Sequence, residues 1–561
     1  MRSMKRWAVG LALVGAGAGC ELVAGLTGDA TLIPRDAGTG TSTGTGGSGG
    51  HAAASFAFAI KDATVNVPYG GSNDINVEIT PSGGFTGAVD ITVQGALAGL
   101  VTMPLTIPAG STTGKLQVGA GTTLVLGTMF TLTLVATAGS ITKTASVPAV
   151  VTGKPGDFDL SFGGSGLVAG PSSTGEVDFN DIREVAQGKL LVGGVTLNSL
   201  GVALSTGLRF LPNGMPDVGF NGTGAVSNKV CTCTTSIGAT VSVAREVDGT
   251  LLFIGWGDAA KGKGEDIFLF RYRDSGMTDG VPGDNGTEDI DLGGNENVAA
   301  AALVPSSTNV IVAGSKDSHL YVARIPDRLA DGVPDTSFAT PKGWIAPPLG
   351  GASSRAGALT LDATGRIVVI GTVTTAGDDD LTMLRLTADG ALDPSFGSGG
   401  VVALARAGNQ QGSAVLVQPD GSILVAANTD EGGSPQLLLQ RFLPSGAPDA
   451  AFGTAGAVLA PLGGMSNANP GSLAAWMVLM LDGRIVVAGN GTMGTTSGPV
   501  LARFLPDGSA DPTFGSSGKL AVYVGMYGAM RAMTLTSDGK LLIAGSTGSN
   551  PGGSFIARLW N

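Results

Sequence analysis

Residues 503–515 read RFLPDGSADPTFG: an Arg closing an apolar run, a Pro-x-Gly turn, an Asp, and a Phe three residues later. The phrase decides the fold because it recurs. Its Asp and Phe return as Asp159 and Phe162, Asp217 and Phe220, Asp335 and Phe338, Asp393 and Phe396, and Asp449 and Phe452. Its Arg returns at Arg209, Arg271, Arg324, Arg385, Arg441 and Arg558. One copy is missing near Asp284, where the chain reads DGVPGDNG.

A second phrase keeps step with the first. A short β-branched strand follows each of Gly188, Gly249, Asn309, Gly365, Gly421, Gly483 and Gly539, at steps of 61, 60, 56, 56, 62 and 56 residues. Self-similarity at such a period marks a repeat architecture. Each unit offers about four strands, a sheet that cannot bury both faces alone; radial stacking buries them and leaves short edges. A β-solenoid would need shorter, more regular rungs. The expected fold is all-β: a seven-bladed β-propeller over residues 156–561, preceded by a sandwich.

The unit as a whole, with Arg-Phe-Leu-Pro, Asp-Pro-x-Phe-Gly and the strand phrase in register, resembles the delta-60 repeat. That family is abundant in myxobacteria and is expected to form propellers. The resemblance covers about 400 residues. In four junctions the Asp follows the Arg by eight positions: Arg209/Asp217, Arg385/Asp393, Arg441/Asp449 and Arg503/Asp511. One pair per unit at a fixed place reads as a brace for the turn and not as a cationic ring for ligands. The repeated Phe residues read as core.

The ends of the repeat carry a further expectation. The ring begins with Asp159 and Phe162 but no preceding Arg, and it ends with Arg558 and no following Asp. If the units close, Arg558 lies near Asp159, and the strand Ser554 to Trp560 packs beside Phe158 to Val168.

Upstream, residues 54–152 alternate apolar and polar residues, as in Ile75-Asn76-Val77-Glu78-Ile79 and Val89-Asp90-Ile91-Thr92-Val93. Period two means half-buried strands, and some seven of them in this length fit a two-sheet sandwich. The wording GGFTGAVDITVQG resembles the immunoglobulin-like modules of bacterial surface proteins, here without a cysteine pair. A rigid spacer is the expected role.

Residues 1–20, MRSMKRWAVGLALVGAGAGC, have a basic start, an apolar run too short to span a bilayer, and small residues ending at Cys20. The stretch Gly17-Ala18-Gly19-Cys20 resembles the cleavage box of bacterial lipoproteins, which implies lipidation at Cys20. Gly17 departs from the Leu usual there. Glu21 does not resemble an inner-membrane retention signal, so the outer membrane or cell surface is the expected location. Residues 21–53, with the run GTGTSTGTGGSGG, read as a flexible linker spanning roughly 30 Å.

Composition limits the chemistry. Charged residues are 14% of the chain and Gly numbers 93, which favours short strands and turns over long helices. The net charge of −12 becomes −15 without residues 1–19, which hold Arg2, Lys5 and Arg6 and no acids. Such a chain repels phosphate backbones, so nucleic acid is not an expected partner. Only His51 and His319 are present, too few for His-based metal or catalytic sites. Cys231 and Cys233 form either a local disulfide or two thiols on an insertion. The acid-rich stretch Asp274 to Asp291 lacks a recognised Ca²⁺-loop spacing and reads as a solvated loop, and Asp378-Asp379-Asp380 reads as a turn. Trp476 and Trp560 read as packing residues. No catalytic, cofactor or metal residues are expected.

The reading is a monomeric, non-enzymatic cell-surface lipoprotein that displays its propeller for recognition, adhesion or assembly, with a glycan or protein ligand. A propeller-type polysaccharide lyase or glycoside hydrolase is the alternative, needing two carboxylates about 5–10 Å apart. A purely structural envelope protein is the third reading.

Overall fold

The computed structural model describes residues 20–22 and 53–561, apart from 70–71, 122–123, 125–126, 171–176, 198–202, 230–237, 247, 259–263, 280–286, 306, 327–331, 405, 462–475, 494–495, 526–527 and 548–552. The described residues are all-β, with one 3-10 turn at Ala186–Gly188. No helix among them is long and apolar enough to cross a membrane. The described residues divide into two compact units: 53–157 with Trp560–Asn561, and Phe158–Leu559 with Cys20–Leu22.

The first unit holds two sheets. One has the order Ser55–Ile60, Asn73–Ser82, Thr113–Ala120, Leu100–Thr102; the other runs Val65–Pro68, Ile141–Thr152, Met129–Ala138, Val89–Gln94, Leu105–Ile107. The alternation does the work expected of it: Ile75, Val77 and Ile79 of one sheet join Val89, Ile91, Leu132 and Leu134 of the other in one core. Among the described residues there are nine strands here where some seven were expected. Leu100–Thr102 and Leu105–Ile107 are three residues each, too short for alternation to reveal them.

Among the described residues the second unit is built from seven sheets, antiparallel except where Cys20–Leu22 joins the sixth. Val177–Glu184, Leu190–Leu197, Ala203–Phe210 and Ala225–Lys229 form the first, hydrogen-bonded in that order. The later sheets open with Gly238–Arg245, Glu296–Leu303, Ser353–Leu361, Gln410–Val417, Trp476–Leu479 and Ala529–Leu535. Each phrase such as Gly483-Arg484-Ile485-Val486-Val487 enters a second strand, whose residues are buried on both faces because a sheet packs on either side. Neighbouring sheets share apolar cores: Leu416 and Leu424 of the fifth meet Leu479 and Val487 of the sixth, for example.

The succession returns to its start. The seventh sheet takes its fourth strand from the beginning of the unit: Leu167–Ala169 pairs antiparallel with Gly553–Leu559. Leu542, Ala544 and Ile556 of that sheet share a core with Phe179, Ile182 and Val192 of the first. The C-terminal strand therefore lies beside the predicted segment, although it ends at Leu559 and not at Trp560. The backbone of Cys20–Leu22 runs parallel to Trp476–Leu479.

Candidate functional site

The repeated Arg, Asp and Phe assemble into one device at each of six places. At the end of the third strand of its sheet, Arg503 Nε donates to Asp511 Oδ2 at 2.8 Å and its guanidinium lies 4.6 Å from the Phe514 ring centre. Asp511 Oδ1 accepts from the Thr513 amide and hydroxyl. The Phe514 amide in turn bonds to Asp511 O, which fixes the tight turn. The same Arg, Asp and Phe contacts occur at Arg209/Asp217/Phe220, Arg385/Asp393/Phe396 and Arg441/Asp449/Phe452, with Arg–Asp distances of 2.7, 2.8 and 2.7 Å, although Gly219 and Ala451 offer their Asp an amide and no hydroxyl. Arg324 reaches Asp335 at 2.7 Å across an eleven-residue spacing.

The device also ties one sheet to the next. Arg385 Nη1 donates to Pro444 O, Arg441 Nη1 to Pro506 O, and Arg209 Nη1 to Asp274 O, each in the turn of the following sheet. The Gly of that turn packs on the Phe. At Gly446 an added Cβ would stand 2.9 Å from Phe396 Cε2, and the backbone is at φ 87°. The Gly397 amide bonds to Ser445 O beside it. The repeated residues are thus consumed in bracing turns and joining sheets, as their fixed position suggests.

Electrostatics agree with that role. At Asp393 the Ser395 hydroxyl and Arg385 hold the carboxyl below its ordinary value despite some desolvation. At Asp159, Asp217, Asp335 and Asp511, burial works to raise the carboxyl, but hydroxyl, Lys or Arg partners outweigh it and the net shift is downward.

The second sheet breaks the pattern. Sequence reading placed its missing Asp near Asp284, but the equivalent is Asp279, eight residues after Arg271, whose amide bonds to Arg271 O. The Asp279 carboxylate pairs with Arg273 at 2.9 Å, and Arg271 Nη1 reaches Glu288 at 2.5 Å. Pro282 stands where the Phe would be, so the repeated phrase could not be recognised.

At the other end of the same strand lies a cluster of acids. Asp266 on Glu265–Tyr272, Asp291 just past Thr287–Ile290, and Glu296 at the head of Glu296–Leu303 bring carboxylate oxygens within 4.8 Å of one another. Asp266 is 5% exposed and Glu296 is fully buried. Lys316 Nζ donates to Glu296 Oε1 at 3.0 Å, to Gly293 O at 2.6 Å and to Asp317 Oδ2 at 2.9 Å. Asp266 Oδ1 is buried without a hydrogen-bond partner. Burial, with Asp289, Asp291 and Glu296 nearby, pushes the Asp266 carboxyl up to about 7.

A surface groove of about 600 Å³ opens where the third unit departs from the repeat. It is lined by Thr340, Lys342, Trp344, Asp389 and neighbouring residues. Lys342 Nζ lies 4.9 Å and Lys316 Nζ 5.7 Å from the Trp344 ring centre. Trp344 was not singled out in the sequence; its signal was that an aromatic follows Gly343 where other copies carry Leu167, Ala225, Val401, Ala457 and Lys519.

The remaining expected residues fall as follows. Asp378-Asp379-Asp380 is not a turn but the start of the strand Asp378–Leu386; the turn is Ala376-Gly377, both at positive φ, which suits a two-residue hairpin. Asp379 is held by Thr374, Arg355 and Gln411. Trp476 packs in the core shared by the sixth and seventh sheets, and Trp560 is buried. His319 is exposed, its Nδ1 2.9 Å from Asp317 O. His51, Cys231, Cys233, the signal segment 1–19, most of the linker and part of the 274–291 loop lie outside the described residues. The same holds for the side chain of Cys20.

The family model "Domain of unknown function (DUF5122) beta-propeller" matches residues 363–396, 418–452, 481–514 and 536–561. Three of these segments end on or beside the clamp residues Phe396, Phe452 and Phe514. No curated protein matches the chain. Among solved structures, the chain is similar to a quinonprotein alcohol dehydrogenase-like protein from Bacteroides thetaiotaomicron, at 9% identity over 86% of this chain and 88% of that one, TM-score 0.29. It is also similar to regucalcin, a calcium-binding protein from Agrobacterium tumefaciens, at 14% identity over 56% of this chain and 88% of that one, TM-score 0.30. At such scores the two likenesses carry no argument about function. The family match and the repeated sheets make this a β-propeller repeat protein.

Proposed function

We propose that the chain is a lipid-anchored cell-surface protein of the delta-60 repeat type. In this reading an immunoglobulin-like module carries a seven-bladed propeller that binds a glycan or protein ligand without transforming it. The observation that carries the reading is the division of labour among residues. Repeated Arg, Asp and Phe serve the frame, whereas the groove adds Lys342 and Trp344, a pair on either side of Gly343 that recurs in no other copy. An indole flanked by two ammonium groups, with Asp389 at the rim, offers stacking, cation and hydrogen-bond chemistry to a sugar or a polar peptide. The basic, apolar and small-residue order ending at Cys20 supports lipid attachment.

Two variants of the full chain test this. Replacing Cys20→Ser should move the protein from the membrane fraction to the soluble one. Glycan-array and pull-down binding should be lost in Trp344→Ala while the fold persists. Full retention of ligand by Trp344→Ala would remove the groove from the account.

A further inference from the structure

We propose that Asp266, Asp291 and Glu296 bind a Ca²⁺ ion that joins the second and third sheets. Three carboxylates converge within 4.8 Å, and Asp289 adds a fourth negative charge close by. Lys316 offsets part of this, but it is directed to Glu296, Asp317 and Gly293 O. Asp266 is 5% exposed, and its Oδ1 is buried with no hydrogen-bond partner. An unpartnered buried carboxylate oxygen is costly, and a cation is the partner that satisfies it together with its neighbours.

The donor set fixes the class of ion. All three ligands are hard oxygens with no His or Cys, which suits Ca²⁺ or Mg²⁺ over zinc or copper. Ca²⁺ accepts a flexible set of carboxylates and carbonyls, whereas Mg²⁺ demands near-ideal octahedral geometry and keeps its waters, so carboxylates drawn from two sheets suit Ca²⁺. Asp291 is exposed and gives the ion and its waters a way in.

The location gives the ion a task. Asp266 and Asp291 belong to the second sheet and Glu296 to the third. These are the two sheets whose junction lacks the Arg–Asp–Phe device: Asp279 pairs elsewhere and the chain has no Phe between Tyr272 and Phe338. A cation bridge at the other end of the same strand supplies a tie that the repeat does not.

Calorimetric titration of the EDTA-treated full chain with CaCl₂, alongside melting curves, tests the proposal. One ion per chain should bind, tighter than Mg²⁺, and raise the Tm. Asp291→Asn should weaken binding by about tenfold or more, and Asp266→Asn should abolish it, while Asp378→Asn leaves it unchanged. Should Asp266→Asn fail to fold, the exposed Asp291→Asn decides alone. Absence of heat and of any Tm change up to about 10 mM CaCl₂, well above the weak end of Ca²⁺ sites, would overturn the site. So would tighter Mg²⁺ binding, or Ca²⁺ affinity unaltered in Asp291→Asn.

Discussion

Arg558 Nε donates to Asp159 Oδ2 at 2.7 Å, joining residues 399 positions apart. The pair is buried, with Arg558 and Asp159 side chains 10% and 2% exposed, and Lys540 reaches the same carboxylate oxygen at 3.0 Å. Arg558 also donates to Pro212 O and lies 4.7 Å from the Phe162 ring centre. The junction at the seam therefore has the same parts as the internal ones, supplied by the two ends of the repeat.

Burial changes what this pair is worth. An exposed pair contributes up to about 1 kcal/mol, but removing one partner of a buried pair leaves an uncompensated charge. Asp159→Ala takes the carboxylate from buried Arg558, while Lys540 keeps Asp538, and should cost about 3–5 kcal/mol in chemical denaturation. A loss under about 1 kcal/mol would show that the seam does not rely on the pair.

The turn glycines should be intolerant of side chains. Gly446→Ala would need a Cβ at φ 87° and 2.7 Å from Val402 Cγ2. Positive φ alone costs roughly 1 kcal/mol or more for a side-chain-bearing residue, and the clash adds to it. Gly433→Ala has the same sign of φ but open space around it. The Tm of Gly446→Ala should fall further than that of Gly433→Ala; equal Tm values would contradict the packing of the turn on Phe396.

The junction acids set the acid limit of stability. Asp159, Asp217, Asp335, Asp393, Asp449 and Asp511 all have carboxyls held below the ordinary value in the folded chain. The unfolded chain then binds more protons, so their stabilisation is present above the unfolded value near 4 and is lost as pH falls through the folded values. The Tm should drop steeply below about pH 4, and Asp393→Asn should make that dependence shallower. A Tm unchanged between pH 5 and pH 3 would contradict it.

Much of this frame was legible because it is chemical as well as periodic. Arg503, Asp511 and Phe514 recur with fixed spacing, and each needs the others, so register alone located the junctions and their closure. Asp279 escaped because its Phe is replaced and its carboxylate turns to Arg273. The acid cluster had no such signal. Asp266 stands five residues before Arg271, where the other copies carry Leu204, His319, Asp380, Gln436, Gly498 and Gly553. No shared chemistry marks the position, and Glu296 meets it only because two sheets pack side by side. Asp291 did fall within the acid-rich stretch read as a solvated loop, but its partners lay outside that stretch.

The two thiols of the second unit should matter little. Cys231 and Cys233 lie in a segment foreign to the repeat. Replacing both by Ser should alter stability by no more than about 0.5 kcal/mol, the range of changes that touch no core, cap or network. A loss beyond about 2 kcal/mol would reveal a disulfide that constrains the chain.

Hydrogen exchange at the seam tests the central claim, closure, most directly. The Asp159 amide bonds to Arg558 O, and the Arg558 amide to Gly166 O, as the Asp511 amide bonds to Arg503 O and the Arg503 amide to Gly518 O within the chain. If the first and last segments close the ring, peptides covering 157–170 and 553–561 should be protected in the native protein as strongly as 503–518. Exchange of 157–170 at the rate of an unfolded chain, with 503–518 still protected, would contradict closure.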